Sequence, residues 1–190
     1  MSLALIDILG DEPIDHEDAK RHARVIAGAD DTQIRAMITA ARQLCEAYTG
    51  RAIIRARYKQ RLAKFPSCQP IVLDKPPLIA VESIEYVDTA GAVATVATAD
   101  YKVSTYGDPG RIVLAMGKSW PSVRSFAAEP VTVTFTAGYT DPPESIKHAV
   151  RLLVAHWYDN REAVVSGKAA TTLPLAVENL LNTVTWETYR

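Results

Sequence analysis

The stretch DTQIRAMITAARQLCEAYTGRAIIRARYKQRL, residues 31–62, contains the change of hydrophobic period that decides the fold. In its first part, apolar side chains recur every three or four residues, which is the spacing of one helix face. Gly50 ends this helix, and from Ile53 the period is two, as in a half-buried strand. The apolar positions are Ile34, Met37, Ile38, Ala41, Leu44, Cys45 and Tyr48 in the helix, then Ile54, Ala56, Tyr58 and Leu62 in the strand.

Further short runs rich in β-branched and aromatic residues follow this first strand. Turns that contain glycine or proline separate the runs, which predicts a small antiparallel sheet. The predicted strands are Ile71–Leu73, Val81–Val87, Val93–Val96, Tyr101–Thr105, Arg111–Ala115 and Val131–Thr136.

Helices are predicted on both sides of this β region. A short helix begins at Asp15, is lined by Ala19, Ala23 and Ile26, and is expected to end at Gly28. After the Pro142-Pro143 pair the helical period returns as far as Asn160, and a last short helix carries Val177, Leu180, Leu181 and Val184.

The order of these elements predicts an α+β fold. The N-terminal and C-terminal helices, in parts 14–50 and 143–190, are expected to pack together, and a small antiparallel β region is inserted at about 53–137. We expect a single domain over residues 1–190. A separate β domain remains an alternative, because the insertion has its own alternating apolar face.

Composition and charge exclude several classes of function. Of 190 residues 48% are apolar, and the net charge of -1 gives no general attraction to DNA or to an anionic membrane. No apolar run approaches the ~20 residues that span a bilayer. The apolar stretch Met1 to Leu9 is short, has no basic leader and is interrupted by Asp7, so a signal peptide is not predicted. We expect no membrane partner.

The sequence contains no recognisable catalytic, cofactor-binding or metal-binding motif. Gly117-Lys118-Ser119 resembles part of a phosphate-binding loop, but Ile112 stands where that loop requires glycine. His148 and His156 are eight residues apart, which does not fit the HExxH zinc motif. Cys45 lies on the predicted core face, where a reactive thiolate is disfavoured. We therefore expect no enzyme activity, no cofactor and no metal.

Several stretches, taken in order, resemble the tailed-phage head-tail connector family, also called head completion or adaptor proteins, in the branch with a β insertion. Adaptors of gene transfer agents are similar. The resemblance spans nearly the whole chain. It is carried by Ile38–Arg42 with Glu46–Arg51, Pro76-Pro77-Leu78 with Ile84–Asp88, Pro109–Ile112, Trp120-Pro121, Val131–Tyr139 and Ala155–Glu162.

The resemblance implies a structural virion protein of the phage neck. Such subunits form a ring, typically of twelve copies, that joins the capsid portal protein to the tail or to the next neck component. The implied partners are therefore other copies of the chain, the portal protein and a downstream neck or tail protein. The chain is expected in the host bacterial cytoplasm before assembly, where it can be a monomer, and in the virion neck afterwards.

Two groups of residues are candidates for contacts with other molecules. The first is a basic stripe on one strand, which predicts a solvated face or, alternatively, a passing contact with DNA or an acidic patch on a neighbouring subunit.

The second follows from the resemblance, which implies portal docking through the C-terminal region. There the loop Ala163 to Thr172 is expected to be poorly ordered in a free subunit, and the terminal aromatics either fold back or anchor on another subunit. The candidates are Arg55, Arg57, Lys59 and Arg61 in the stripe, and Ser166, Gly167, Lys168, Trp186, Tyr189 and Arg190 in the C-terminal region.

Two other classes of function remain as alternatives. One is a small enzyme with an unrecognised site, which would show converging ionisable groups with perturbed titration in a deep pocket. The other is a DNA-contacting module that uses the basic strand, which would show steep salt-dependent binding.

Overall fold

The structure is a computed structural model that describes residues 2–25, 31–67, 69–124, 128–160 and 173–185. Helices and antiparallel sheets are both present, which confirms the predicted α+β class. The strands are β1 (Ser2–Ile8), β2 (Ala56–Leu62), β3 (Ile71–Val72), β4 (Leu78–Val87), β5 (Val93–Thr95), β6 (Tyr101–Ser104), β7 (Arg111–Leu114) and β8 (Val131–Ala137). The helices are α1 (His16–His22), α2 (Asp31–Thr49), α3 (Glu144–Asp159) and α4 (Leu175–Asn182).

The chain forms two compact units. The β unit contains Met1–Gly10 and Ile54–Thr140, and the helical unit contains Asp11–Ile53 and Asp141–Arg190. Each unit therefore consists of two separate segments, and neither could be excised as one continuous piece. That the whole chain folds as a single domain stays a prediction.

The β unit has two antiparallel sheets, whereas the sequence predicted one. Five strands form one sheet in the order β1-β2-β8-β4-β5, and three form the other in the order β3-β7-β6. The two sheets are joined by the buried side chain of Gln60, whose amide donates to the Val72 carbonyl (2.8 Å) and accepts from the Asp74 N–H (2.9 Å). The alternating pattern does not reveal this division, because strands of both sheets have one buried face.

The face of the five-stranded sheet that carries Gln60 is its inner face, and it holds much of the core of the β unit. Tyr58 of β2 stacks on Phe135 of β8, with ring centroids 5.8 Å apart. Ile84 of β4 pairs with Val133 of β8 on the same face, and both are fully buried.

Strand β1 was not predicted. It pairs antiparallel with β2 from Ser2 opposite Arg61 to Ile8 opposite Ala56, and the register shifts between Leu5 and Asp7. The apolar stretch at the start of the sequence is therefore an edge strand of the five-stranded sheet.

In the helical unit, the apolar faces of α2, α3 and α4 pack together, as predicted. No helix in the described parts of the chain is both long and apolar enough to cross a bilayer. The buried positions include Ile34, Ile38, Ala41 and Cys45 in α2, Ile146, Ala149, Val150, Leu153 and Val154 in α3, and Val177 and Leu181 in α4.

Helix α1 is shorter than predicted. It ends at His22, whereas the sequence indicated a continuation through Ile26 to Gly28, two residues that lie outside the described ones. Arg24 adopts a positive φ of 55° and the Val25 N–H donates to the Lys20 carbonyl at 3.0 Å. These are the features of a Schellman helix end, and because it is formed here without glycine, it could not be predicted from the residue types.

Gly138 makes the exit from β8 sterically possible. Its φ is +115°, and a Cβ atom at this position would lie 2.1 Å from the carbonyl oxygen of Ile54. Its N–H donates to the Pro77 carbonyl at 2.9 Å, so the backbone cannot rotate away without losing a hydrogen bond.

We expect Gly138→Ala to lower the free energy of unfolding by at least about 2 kcal/mol, because strained φ and overlap with backbone atoms act together. Thermal unfolding followed by circular dichroism should show a melting temperature lower by about 4–8 °C. Gly117→Ala is the matched control, since Gly117 also has a positive φ (+75°) but has no atom within 4 Å of the added methyl. Equal losses in the two variants would contradict the steric explanation.

Candidate functional site

The basic stripe predicted from the sequence lies on the five-stranded sheet. Arg57, Lys59 and Arg61 belong to β2 and point to the outer face, opposite to the face of Gln60. Arg55 precedes the strand and is exposed, while its backbone carbonyl accepts the N–H groups of Leu9 and Gly10 at 2.9 Å each.

Arg57 is neutralised within the β unit. Its Nε lies 2.9 Å from Oε2 of Glu82, and its Nη1 lies 3.9 Å from Oδ2 of Asp7. The Thr136 hydroxyl donates to Oε1 of Glu82 at 2.6 Å. The hydrogen bond from Thr136, together with Arg57, holds the pKa of the Glu82 carboxyl below its ordinary value. Arg57 therefore supports the sheet rather than offering a charge to another molecule.

Lys59 and Arg61 keep their charges available. Neither forms an ion pair with any residue that the structure describes. Across the sheet, Arg61 lies in one row with Thr132 of β8 and Glu85 of β4. The outer face therefore carries Lys59 and Arg61 near the β1 edge, where Asp7 is also present, and Glu85 near the opposite edge.

The C-terminal interface candidates lie outside the described residues. They are Ser166, Gly167, Lys168, Trp186, Tyr189 and Arg190. Their role in portal docking stays a prediction, as does that of the loop Ala163 to Thr172.

Sequence reasoning missed an apolar surface on β1 and the residue after it. The exposed fractions are 53% for Leu5, 49% for Ile6, 49% for Ile8 and 39% for Leu9. The run of apolar residues is visible in the sequence, but it does not alternate regularly and so predicts no half-exposed strand. Contiguous exposed apolar groups on a soluble chain mark a candidate interaction site.

A cleft of about 500 Å³ in the helical unit is lined by several ionisable groups. Asp15 caps α1 by accepting the backbone N–H of His16 at 2.8 Å, and the His16 ring lies 2.9 Å from the same oxygen. This hydrogen bonding with His16 lowers the pKa of Asp15. Glu12, also in the lining, accepts from Thr39 and Arg42 at 2.8 Å each. These carboxylates thus have structural partners.

A group of possible metal ligands beside this cleft is bridged by a lysine. Single ligand atoms of His16, Glu17 and Asp31 lie within 4.8 Å of one another. However, Nζ of Lys20 lies 3.0 Å from Glu17 and 2.7 Å from Asp31. The ammonium group provides the positive charge that these carboxylates need, and its hydrogen bond lowers the pKa of Asp31. The geometry therefore fits an ion-pair cluster better than a metal site.

Cys45 is not placed to act as a nucleophile. It is fully buried in α2, and burial, with a smaller contribution from Glu46, raises the pKa of its thiol to about 12. The thiol is therefore protonated at neutral pH.

Arg42 connects separate segments of the helical unit through ion pairs of its buried side chain. It is only 3% exposed, and its guanidinium binds Glu12 (Nε to Oε2, 2.8 Å) and Glu46 (Nη1 to Oε2, 3.0 Å). Glu46 also accepts the Ile53 N–H at 2.9 Å through its other oxygen. This network ties the segment before α1 and the segment after α2 to the same side chain.

These features define an α+β protein with a helical unit, a two-sheet β unit and exposed charged and apolar sheet surfaces. The head completion protein family matches residues 12–180. The chain belongs to this family, which confirms the resemblance to head-tail connectors. No curated protein matches the chain.

Solved structures with a similar fold come from gene transfer agent particles. A chain from the neck of an empty particle, computed with C6 symmetry, matches with a TM-score of 0.80 and 23% identity, covering 100% of this chain and 98% of that one. A chain from the virion of a native particle gives the same values. A chain from the neck of a native particle, computed with C12 symmetry, matches with a TM-score of 0.69 at the same identity and coverage. At this identity the similarity establishes a shared fold.

We expect Arg42→Met to lower the free energy of unfolding by about 3 kcal/mol, since Glu12 and Glu46 would lose their buried counter-charge. Urea unfolding gives the measurement. The matched control is Arg21→Met, because Arg21 is 77% exposed in its pair with Asp18 and its loss should cost at most about 0.5 kcal/mol. A small effect at Arg42 would show that the network contributes little to stability.

Proposed function

We propose that this chain is a structural subunit of the neck of a tailed-phage-like particle. It would form a ring that joins the capsid portal to the tail or to the next neck component. The observation that carries this proposal is its membership of the head completion family over residues 12–180. The fold that it shares along its whole length with chains from C6 and C12 neck structures supports a ring.

The mechanism of such a subunit is geometric. In a ring, each copy uses two different surfaces, and the same contact is repeated by rotation until the ring closes. We infer twelve copies in the particle, with the portal protein on one side and a neck or tail protein on the other. The C-terminal candidates from Ser166 to Arg190 are proposed as the portal-docking region.

We also propose that the chain is not an enzyme. The two carboxylates of Asp15 and Glu12 in the charged cleft are used in a helix cap and an ion pair, and Cys45 is buried and protonated. An active site needs groups that remain available to a substrate. These observations support a role in contacts with other proteins rather than in catalysis.

The ring proposal predicts that the mass of the assembly depends on whether the portal protein is present. We expect the purified protein to be a monomer or small oligomer at micromolar concentration, and to form a closed ring, expected to contain twelve copies, on the portal encoded in the same genome. Mass photometry across a concentration series, alone and with the portal, followed by imaging, gives the measurement. The absence of any complex with the portal or with the next neck protein would contradict the proposal.

A contact with DNA is the second candidate function, and it is favoured by Lys59 and Arg61, which form no ion pair within the described part of the chain. Because two cations give a weak field, we expect Lys59→Gln with Arg61→Gln to change duplex-DNA affinity less than about twofold at physiological salt. Fluorescence anisotropy over a salt series measures this. Steep salt-dependent binding that the double substitution abolishes would instead identify the stripe as a DNA contact.

A further inference from the structure

Strand β1 presents an edge whose only protections are the register shift between Leu5 and Asp7 and the charge of Asp7. One side of β1 pairs with β2, and no described strand pairs with its other side. Natural edge strands commonly carry lysine or proline, which discourage pairing with another chain. The sequence of β1, SLALIDI, contains neither, and Asp7 is its single charged residue. Half-exposed Leu5 and Ile8 extend along this edge, pointing to the inner face of the sheet.

The opposite edge of the same sheet is open over part of its length. Strand β5 has only three residues and pairs with Glu85–Val87 of β4, and the Val96 N–H extends this cover to the Ile84 carbonyl. From Leu78 to Ser83, β4 pairs with β8 on one side and with no described strand on the other. Ile79 and Ala80 in this part are exposed.

The strand directions make the two open edges compatible. Each neighbouring pair from β1 through β2 and β8 to β4 is antiparallel, so β1 and β4 run in opposite directions. A second copy in nearly the same orientation would therefore bring its β1 antiparallel to β4 of the first. In an antiparallel pair, the backbone hydrogen bonds between the two strands run perpendicular to the strands.

The charges on the outer face favour the same arrangement. With β1 of the second copy antiparallel to Leu78–Ser83, its Ser2 end lies towards Glu85 of the first copy. Arg61 is paired with Ser2, so it would lie two strand spacings from β4 and two residues along that strand from Glu85, at roughly 12 Å between Cα atoms. Opposite charges at this distance favour one orientation and speed association.

From this edge polarity and charge complementarity, we propose that β1 of one subunit adds to the open part of β4 in the next copy, so that the five-stranded sheets continue from subunit to subunit around the ring. The contact is heterologous and can be repeated by rotation, as a closed ring requires. Main-chain hydrogen bonds would supply affinity, and Leu5 and Ile8 would be covered. The proposal rests on the ring assembly proposed above. Strand β1 precedes the family match, which begins at residue 12.

Cross-linking in assembled particles tests the direction of the contact. Ala4 and Ala80 are exposed and lie on the outer face, opposite Lys59 and Thr136 respectively. In a Cys68→Ser background, we expect Ala4→Cys with Ala80→Cys to give a ladder of trimers and larger species with a short bis-maleimide. The controls, Ala4→Cys alone and Ala80→Cys alone, should give none. Dimers from Ala4→Cys alone would overturn the proposal in favour of a twofold β1–β1 contact.

A charge substitution tests the contribution of the apolar edge. We expect Leu5→Lys with Ile8→Lys to reduce the number of copies incorporated per portal ring at least about tenfold, because the contact would bury unpaired ammonium groups. Val113→Lys, at a valine of the three-stranded sheet that is 41% exposed, should incorporate normally. Circular dichroism confirms that each variant is folded before the comparison.

The outcomes separate this inference from the proposed function. If the wild-type chain enters particles as a ring but the double cysteine variant gives no ladder, or the lysine variant incorporates normally, the β1 contact is wrong and the ring stands. If the wild-type chain never associates with the portal or a neck protein, the proposed function fails, and the inference fails with it.

Discussion

The pairing of β2 with β8 is the interaction on which the rest of the β unit depends. Its seven cross-strand pairs run from Ala56 opposite Ala137 to Leu62 opposite Val131, so they join the two ends of the inserted region. Strand β1 is attached to one side of this pair and β4 to the other. The register is enforced by burial, because a slip of one residue would move Arg57 and Lys59 to the inner face and expel Tyr58 from it.

The helical unit is held by a different balance of forces. Its apolar core lies between α2, α3 and α4, but its segments are positioned by polar side chains. Arg151 of α3 binds Asp18 of α1 at 2.7 Å, and the Tyr48 hydroxyl of α2 donates to Asn182 of α4 at 2.8 Å. Such bonds need a particular geometry, so they act together with the close packing of the apolar core to position the helices. A subunit that must fit its neighbours needs a single shape.

Much of the fold could be predicted from the sequence, since α2 and β2 to β8 show their periods locally. Strand β1 could not, because its apolar residues do not alternate: Leu5 and Ile6 are adjacent at the register shift, and the pairing partner lies beyond α2. The sequence predicts that the cations of β2 share one face, because side chains alternate between the two faces of a strand. The neutralisation of Arg57 could not be predicted in this way, because the position of Glu82 depends on a second register shift, between Val81 and Ser83. Such shifts leave no signature in a single sequence.

The positions of the charged residues on the five-stranded sheet affect face-to-face and edge-to-edge association differently. Lys59 and Arg61 repel a second copy that approaches face to face, because like charges would meet on the outer surfaces. The same cations stand on β2, not on β1, so no lysine or arginine side chain lies on the β1 edge itself. This sheet therefore disfavours stacking of its outer faces, and the proposed growth at its edge is the geometry that a ring of side-by-side subunits requires.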